Sequence, residues 1–160
     1  MHPTQQQSLE RSETPAAVLR HAAIYLWRYG WIKAAFYHQP DPDLELPFPP
    51  ACTVGAIRAA VFGQPMDALY DTAGSQLDDP DHTRLVDQCI AAQRVLAKEV
   101  DPEFDPDESG TLDVIADWND TEDRTIADVL IALYCAADDW DATHPLQHTD
   151  STPPVAGGQS

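Results

Sequence analysis

Apolar residues recur every three or four positions in five stretches of the chain, which is the spacing of an α-helix with one buried face. The predicted helices span residues 15–29, 52–62, 81–100, 111–118 and 126–140. The first is bounded by Thr14 as a capping residue, by Pro15 where a missing N–H is harmless, and by a terminating Gly30. Thr125, with Asp128 three residues later, predicts a capping box at the start of the last helix.

The apolar pattern also indicates how these helices pack. The helix at 126–140 is apolar almost all round, so we expect it to lie at the centre of the domain. The helix at 15–29 carries Ile24 and Trp27 opposite its main apolar face, which indicates a second, partial contact there. We therefore predict an all-α fold, a single compact and bundle-like domain of about five helices over residues 14–140.

The residues between and beyond the helices are of turn-forming or polar types. Residues 1–13 and 141–160 lack apolar spacing, so we expect both to be disordered tails. Five prolines between positions 39 and 50 exclude a regular helix or a central strand there, after a short extended segment at 32–37. Residues 64–80 are predicted to form a mixed loop with one helical turn.

Acidic residues dominate the charge of the chain. Its 27 Asp and Glu residues face 9 Lys and Arg residues, which gives a formal net charge of −18. Such a surface repels phosphates, so we expect no binding to nucleic acid or to anionic membranes. The acidity is explained by solubility, or alternatively by mimicry of nucleic acid toward a basic DNA-binding protein. No membrane-spanning apolar run and no signal-peptide pattern is visible, so we expect a cytoplasmic protein.

The cysteines give the one argument for catalysis. They are Cys52, Cys89 and Cys135. An odd number at wide spacing favours reduced thiols over a disulfide framework or a zinc knuckle. Cys52 begins a predicted helix, whose dipole stabilises a thiolate, and His38, Asn119 and Asp120 are its candidate partners. A small thiol hydrolase is therefore one alternative function, beside the simpler interpretation of Cys52 as a packing residue.

Cofactor and metal sites have no support in the sequence. The glycine patterns that cradle nucleotide phosphates are absent, so we predict no cofactor. The scattered residues of metal-ligating type are His38, Cys52, His82 and Asp120. No two of them have the spacing that would set two ligands on one helical face, so we predict no metal site.

The most conspicuous polar segment is "ADWNDTEDRT" at 116–125. With nearby aromatic residues it is a candidate binding site made of Trp31, Tyr37, Trp118, Asn119, Asp120 and Arg124. The alternative, which we favour, is a structural hinge between the last two helices. In that hypothesis Asn119 and Asp120 bond the backbone amides freed where the fourth helix ends, and Arg124 pairs with Asp120 or neutralises another nearby acid.

Three motifs occur in order along the chain: "YGWIKAAFYH", "PPACTVGAIRAA" and "IADWNDTEDRTIADVLIALYCAA". In its Gly-Trp, Cys-x-x-Gly-Ala-Ile and Trp-Asn-Asp with Arg-Thr motifs, the chain resembles a family of small proteins of unassigned activity found mainly in actinobacteria and their phages. The resemblance covers roughly residues 16–138. It implies a shared fold and no catalytic residues, and the loops at 39–50 and 64–80 depart from the family pattern.

These observations together favour a protein without catalytic activity. From the absence of catalytic motifs and from the acidic surface, we predict an intracellular accessory or regulatory protein that acts through protein–protein contacts. The sequence does not identify the protein partner.

Overall fold

Capping side chains and glycines set the bounds of the helices. The computed structural model describes residues 14–108 and 110–145. Its helices are α1 (Pro15–Tyr29), α2 (Thr53–Phe62), α3 (Pro80–Val100), α4 (Thr111–Asn119) and α5 (Ile126–Thr143). A single 3-10 turn at Pro106–Glu108 precedes α4, and the described residues form no strand. The prediction of an all-α domain of about five helices is confirmed.

The predicted caps are present. The Thr14 hydroxyl accepts the Ala17 N–H at 3.1 Å at the start of α1. At the start of α5 the Thr125 hydroxyl accepts the Asp128 N–H at 3.2 Å, and the Asp128 carboxylate accepts the Thr125 N–H at 3.0 Å. This reciprocal pair is the capping box that the sequence indicates, because it satisfies two amides that a helix start leaves free.

The packing of the domain rests on two helices: α1 packs against α2, α3 and α5, and α3 packs against all four of the other helices. The large side chains with almost no exposure include Leu19 and Leu26 of α1, Ile57 of α2, Leu96 of α3, Ile115 of α4 and Leu133 of α5. The prediction that the last helix is central is wrong, since Ile131 is 61% exposed and Tyr134 41% exposed. Periodicity identifies apolar faces but does not tell whether a neighbour covers them.

The last helix is also longer than predicted. It ends at Thr143 instead of residue 140, and an ion pair reaches the added turn. Arg20 of α1 binds Asp138 at 2.7 Å and Asp141 at 2.8 Å. The predicted N-terminal tail, residues 1–13, lies outside the described residues. The part of the predicted C-terminal tail from residue 146 to residue 160 does so as well.

The two long connections contain no helix within the described residues. The helical turn expected in 64–80 is absent before α3. Arg58 of α2 donates to the Met66 and Asp67 carbonyls of this connection at 3.1 and 2.8 Å. Pro49, in the proline-rich loop, accepts the Tyr25 hydroxyl at 2.7 Å. Each connection is thus held by a side chain of a helix.

A short non-helical layer crosses the start of α2. Ala51 makes isolated β-bridges with Trp31 and Tyr37, so residues 30–38 and 50–52 lie side by side. Gly55 allows this crossing, since a Cβ there would lie 2.4 Å from the Phe36 carbonyl oxygen. We call residues 30–38 the crossing loop.

No helix in the described ranges combines the length and the apolar character needed to cross a membrane.

The capping box gives a stability prediction. Thr125→Ala should lower the free energy of unfolding by about 1 kcal/mol, because the Asp128 amide loses its acceptor. Urea denaturation would measure the loss. Thr121→Ala is the matched control, since that exposed hydroxyl donates to a carbonyl within α4 and caps no amide; its effect should stay within about 0.5 kcal/mol. Equal losses in the two variants would contradict the assigned cap.

Candidate functional site

Asn119, the last residue of α4, lies at the centre of a buried polar network and is 2% exposed. Its side-chain oxygen accepts the Trp31 indole N–H at 2.7 Å and the Thr53 backbone N–H at 3.1 Å. The Thr53 hydroxyl donates to the same oxygen. Its side-chain nitrogen donates to the Ile32 carbonyl at 3.1 Å and to the Asp120 carboxylate at 2.9 Å. The amide is therefore fully satisfied.

This network joins three parts of the chain that are distant in sequence. Thr53 is the first residue of α2, and its amide is one that the helix itself leaves unpaired. Trp31 and Ile32 belong to the crossing loop. Asn119 thus fixes the end of α4 against the start of α2 and against this loop.

A second set of contacts clamps the crossing loop from outside. The Asp120 carboxylate accepts the Ala34 N–H at 3.0 Å. Ala34 has φ of 69°, a left-handed conformation that is costly for a residue with a Cβ. Lys33 donates to the Thr121 and Glu122 carbonyls at 2.7 and 3.1 Å. These bonds hold the loop in its strained form.

Arg124 forms no ion pair with Asp120, so that alternative for Arg124 is wrong. Its Nε donates to the Trp118 carbonyl at 2.8 Å, and its guanidinium lies 4.2 Å from the centre of the Trp118 ring. Stacking on the indole lets Arg124 satisfy a free carbonyl at the end of α4. These contacts support a structural role for the segment. The amides concerned differ from the predicted ones: Asn119 and Asp120 bind amides of α2 and of the crossing loop, not amides at the end of α4.

A pocket of about 270 Å³ opens beside this network. Its lining includes Ala34, Phe36, Cys52, Val54, Asn119 and Asp120. The structure therefore brings three candidate catalytic residues, Cys52, Asn119 and Asp120, to one place. His38 is exposed and is not part of this lining.

Cys52 has the properties of a structural thiol. Its side chain is 9% exposed, and its sulfur accepts the Gly55 N–H at 3.4 Å as the cap of α2. Burial raises the pKa of the Cys52 thiol, and the charge of Asp120 raises it further. Backbone N–H groups act in the opposite direction but with less effect. The thiol is therefore held protonated, unlike the lowered pKa of a reactive cysteine.

The predicted aromatic binding residues are engaged in packing. Trp31 and Trp118 pack against the core, and the Tyr37 hydroxyl donates to the Gly55 carbonyl at 2.8 Å and accepts the Met66 N–H at 2.9 Å. Burial raises the pKa of Tyr37. These contacts leave no exposed aromatic cage at the crossing loop.

Sequence reasoning missed Thr53 and Arg58. Arg58 is 4% exposed and lies 4.4 Å from the centre of the Phe36 ring. Arg58 lies among small apolar residues of α2, and this pattern could have predicted a buried basic side chain. Thr53 carries no such signal, because its partner Asn119 lies 66 residues away.

Of the four candidate metal ligands, Cys52 and Asp120 line the same pocket, whereas His38 and His82 are not part of that lining. His82 contacts the Leu69 carbonyl through Nε2 and lies between the rings of Phe62 and Tyr70, with ring centres 5.2 and 5.1 Å away. Within residues 14–108 and 110–145, no three His, Cys, Asp or Glu side chains are grouped so as to hold a metal ion.

The buried amide gives a second stability prediction. Asn119→Ala should lower the free energy of unfolding by about 3 kcal/mol, because it leaves the Thr53 amide and the Trp31 indole N–H buried without an acceptor. Urea denaturation and hydrogen exchange of the Trp31 indole would measure the change. Asp117→Ala, an exposed site on the same helix, should change stability by less than about 0.5 kcal/mol. A small effect at Asn119 would show that the network is dispensable.

The thiols give a third prediction. Cys135 is exposed, whereas Cys52 and Cys89 are buried, and burial raises the pKa of Cys89 to about 12. Since only the thiolate reacts, iodoacetamide between pH 7 and about 9 should modify Cys135 first and reach the other two only upon unfolding. Peptide mass spectrometry would follow each site. Faster alkylation of Cys52 than of Cys135 would instead indicate an activated nucleophile.

Comparison with protein-family models matches residues 10–139 to a family of unknown function, DUF6197. This range contains the crossing loop, α2 and the Asn119 network, and it extends slightly beyond the residues that carry the three motifs. No curated protein and no solved structure matches the chain significantly. Because the family model covers most of the sequence, the chain belongs to the family of unknown function DUF6197.

Proposed function

We propose that this protein is an intracellular accessory or regulatory protein that binds another protein through an apolar surface on α1 and α5. The surface, which we call the apolar strip, consists of Ile24, Trp27, Ile131 and Tyr134. Its exposure carries the proposal: Trp27 is 76% exposed, Ile131 61% and Ile24 47%. Large apolar groups clustered on a surface are typical of protein interfaces, and tryptophan is enriched at their energetic centres.

The packing of α1 against α5 supports the continuity of the strip. Arg20, near the start of α1, binds Asp138 near the end of α5, so the two helices run antiparallel. One turn further along α1 is Ile24, and one turn back along α5 is Tyr134. The next turn brings Trp27 level with Ile131. The exposed residues of the two helices therefore follow one seam.

The charge of the chain favours a basic partner over a second copy. A formal net charge of −18 on each chain opposes self-association and speeds association with a positively charged protein. Arg20, beside the strip, is already neutralised by Asp138 and Asp141. A partner with an apolar patch inside a basic rim fits this surface.

The alternative of a small thiol hydrolase has less support. Cys52 is buried with a raised pKa, and His38 lies outside the pocket that contains it. The other alternative, a mimic of nucleic acid, also requires a basic partner but would bind through charge without the apolar strip. The two modes of binding are separable by mutation.

The test compares strip variants with a control of matched exposure. Ile131→Glu and Trp27→Glu place a charge in the strip, whereas Leu77→Glu changes an equally exposed leucine, also at 61%, in the loop before α3. Each variant would be used as bait in extracts of cells whose genome encodes this protein. Quantitative mass spectrometry would then compare the captured proteins. We expect one basic protein to be retained by the wild type and by Leu77→Glu and lost at least about tenfold with both strip variants, since a buried interface charge costs several kcal/mol.

Two results would contradict the proposal. Retention of the partner by all variants, with release by salt alone, would support the nucleic-acid mimic. Sedimentation showing that the wild type is a dimer which Ile131→Glu dissociates would assign the strip to self-association. Thermal unfolding of each variant controls for loss of the fold.

A further inference from the structure

A second cavity, of about 620 Å³, lies between α3, α5 and the segment that follows α3. Its volume is within the range of small-molecule sites. Apolar walls come from Val95 of α3, Phe104 of the connecting segment and Trp140 of α5. Glu99 and Asp139 also line it, so a largely apolar cavity contains convergent acidic groups.

The two carboxyl groups, one from α3 and one from α5, lie beside each other in this lining. Burial raises the pKa of Glu99, and its contact with Asp139 and the charge of Asp139 raise it further. The Glu99 carboxyl therefore binds a proton more tightly than an exposed glutamate does.

The basic residues of the cavity do not neutralise this pair. The Lys98 ammonium donates to the Phe104 carbonyl at 3.4 Å. Arg94 is exposed and forms no ion pair with another described residue. The pair is left to a cation from outside the chain.

An ammonium group suits this site better than a metal ion. Calcium and magnesium require about six or more oxygen ligands, whereas the pair supplies two carboxylates and the walls around it are apolar. The described residues also hold no group of three metal-ligating side chains. An amine with an apolar body would use both the acids and the walls.

We propose that this cavity binds an organic amine, whose ammonium group donates to the Glu99 and Asp139 carboxylates and whose apolar body packs against Val95, Phe104 and Trp140. Protons compete with the ammonium group for Glu99, whose pKa is raised. Affinity should therefore rise with pH across the titration of this carboxyl group.

The experiment titrates the whole protein with benzylamine and, as the uncharged match, benzyl alcohol, followed by calorimetry and by the nuclear magnetic resonance signal of the Trp140 indole. Benzylamine should bind at least about tenfold more tightly than the alcohol, since hydrogen bonds to charged groups are the stronger ones. Glu99→Gln and Asp139→Asn should each remove this preference. Asp138→Asn is the matched control, because the neighbouring acid faces Arg20 and does not line the cavity, and it should bind benzylamine like the wild type.

Equal binding of amine and alcohol, or unchanged affinity in both cavity variants, would overturn the proposal. So would a calcium titration that shifts the Trp140 signal when benzylamine does not. Thermal unfolding confirms that each variant is folded. Ile131→Glu, which tests the apolar strip, should leave benzylamine affinity unchanged, so failure at one site is distinguishable from failure at the other.

Discussion

One buried amide determines how the non-helical parts of this protein meet its helices. Asn119 accepts from the Trp31 indole and from Thr53, and it donates to the backbone of Ile32. A buried polar group without partners is costly, so these segments are held in one arrangement. The position of Cys52, directly before Thr53, follows from the same arrangement. The polar cluster around Asn119 thus satisfies backbone and side-chain hydrogen bonds of three segments.

The helices were predictable because their signals are local. Thr14 and the Thr125–Asp128 box lie within a few residues of the amides they cap. The positions of α1 and α3 in the packing were not predictable in this way, because they depend on which apolar faces meet. Ile131 and Tyr134 are apolar and at helical spacing, yet they are exposed. A helix that is apolar all round is a core helix only when neighbours cover every side.

The candidate site was predictable in its residue types and less so in its partners. The interpretation of the 116–125 segment as structural anticipated that Asn119 and Asp120 serve the backbone. It did not anticipate that the amides belong to Thr53 and Ala34, which lie 66 and 86 residues away. Nor did it anticipate that Arg124 would stack on Trp118. Pairings over such separations depend on tertiary packing, which no local spacing records.

Two adjacent carboxylates of α5 face different neighbouring helices. Asp138 and Asp139 are consecutive, yet Asp138 binds Arg20 of α1 and Asp139 lies beside Glu99 of α3. Consecutive helical residues point about 100° apart, so one helix can contact two neighbours through adjacent carboxylates. The acid on the α1 side is paired with an arginine, whereas the acid on the α3 side lies beside another acid. In the proposed amine site, this difference is what favours an added cation on the α3 side over the α1 side.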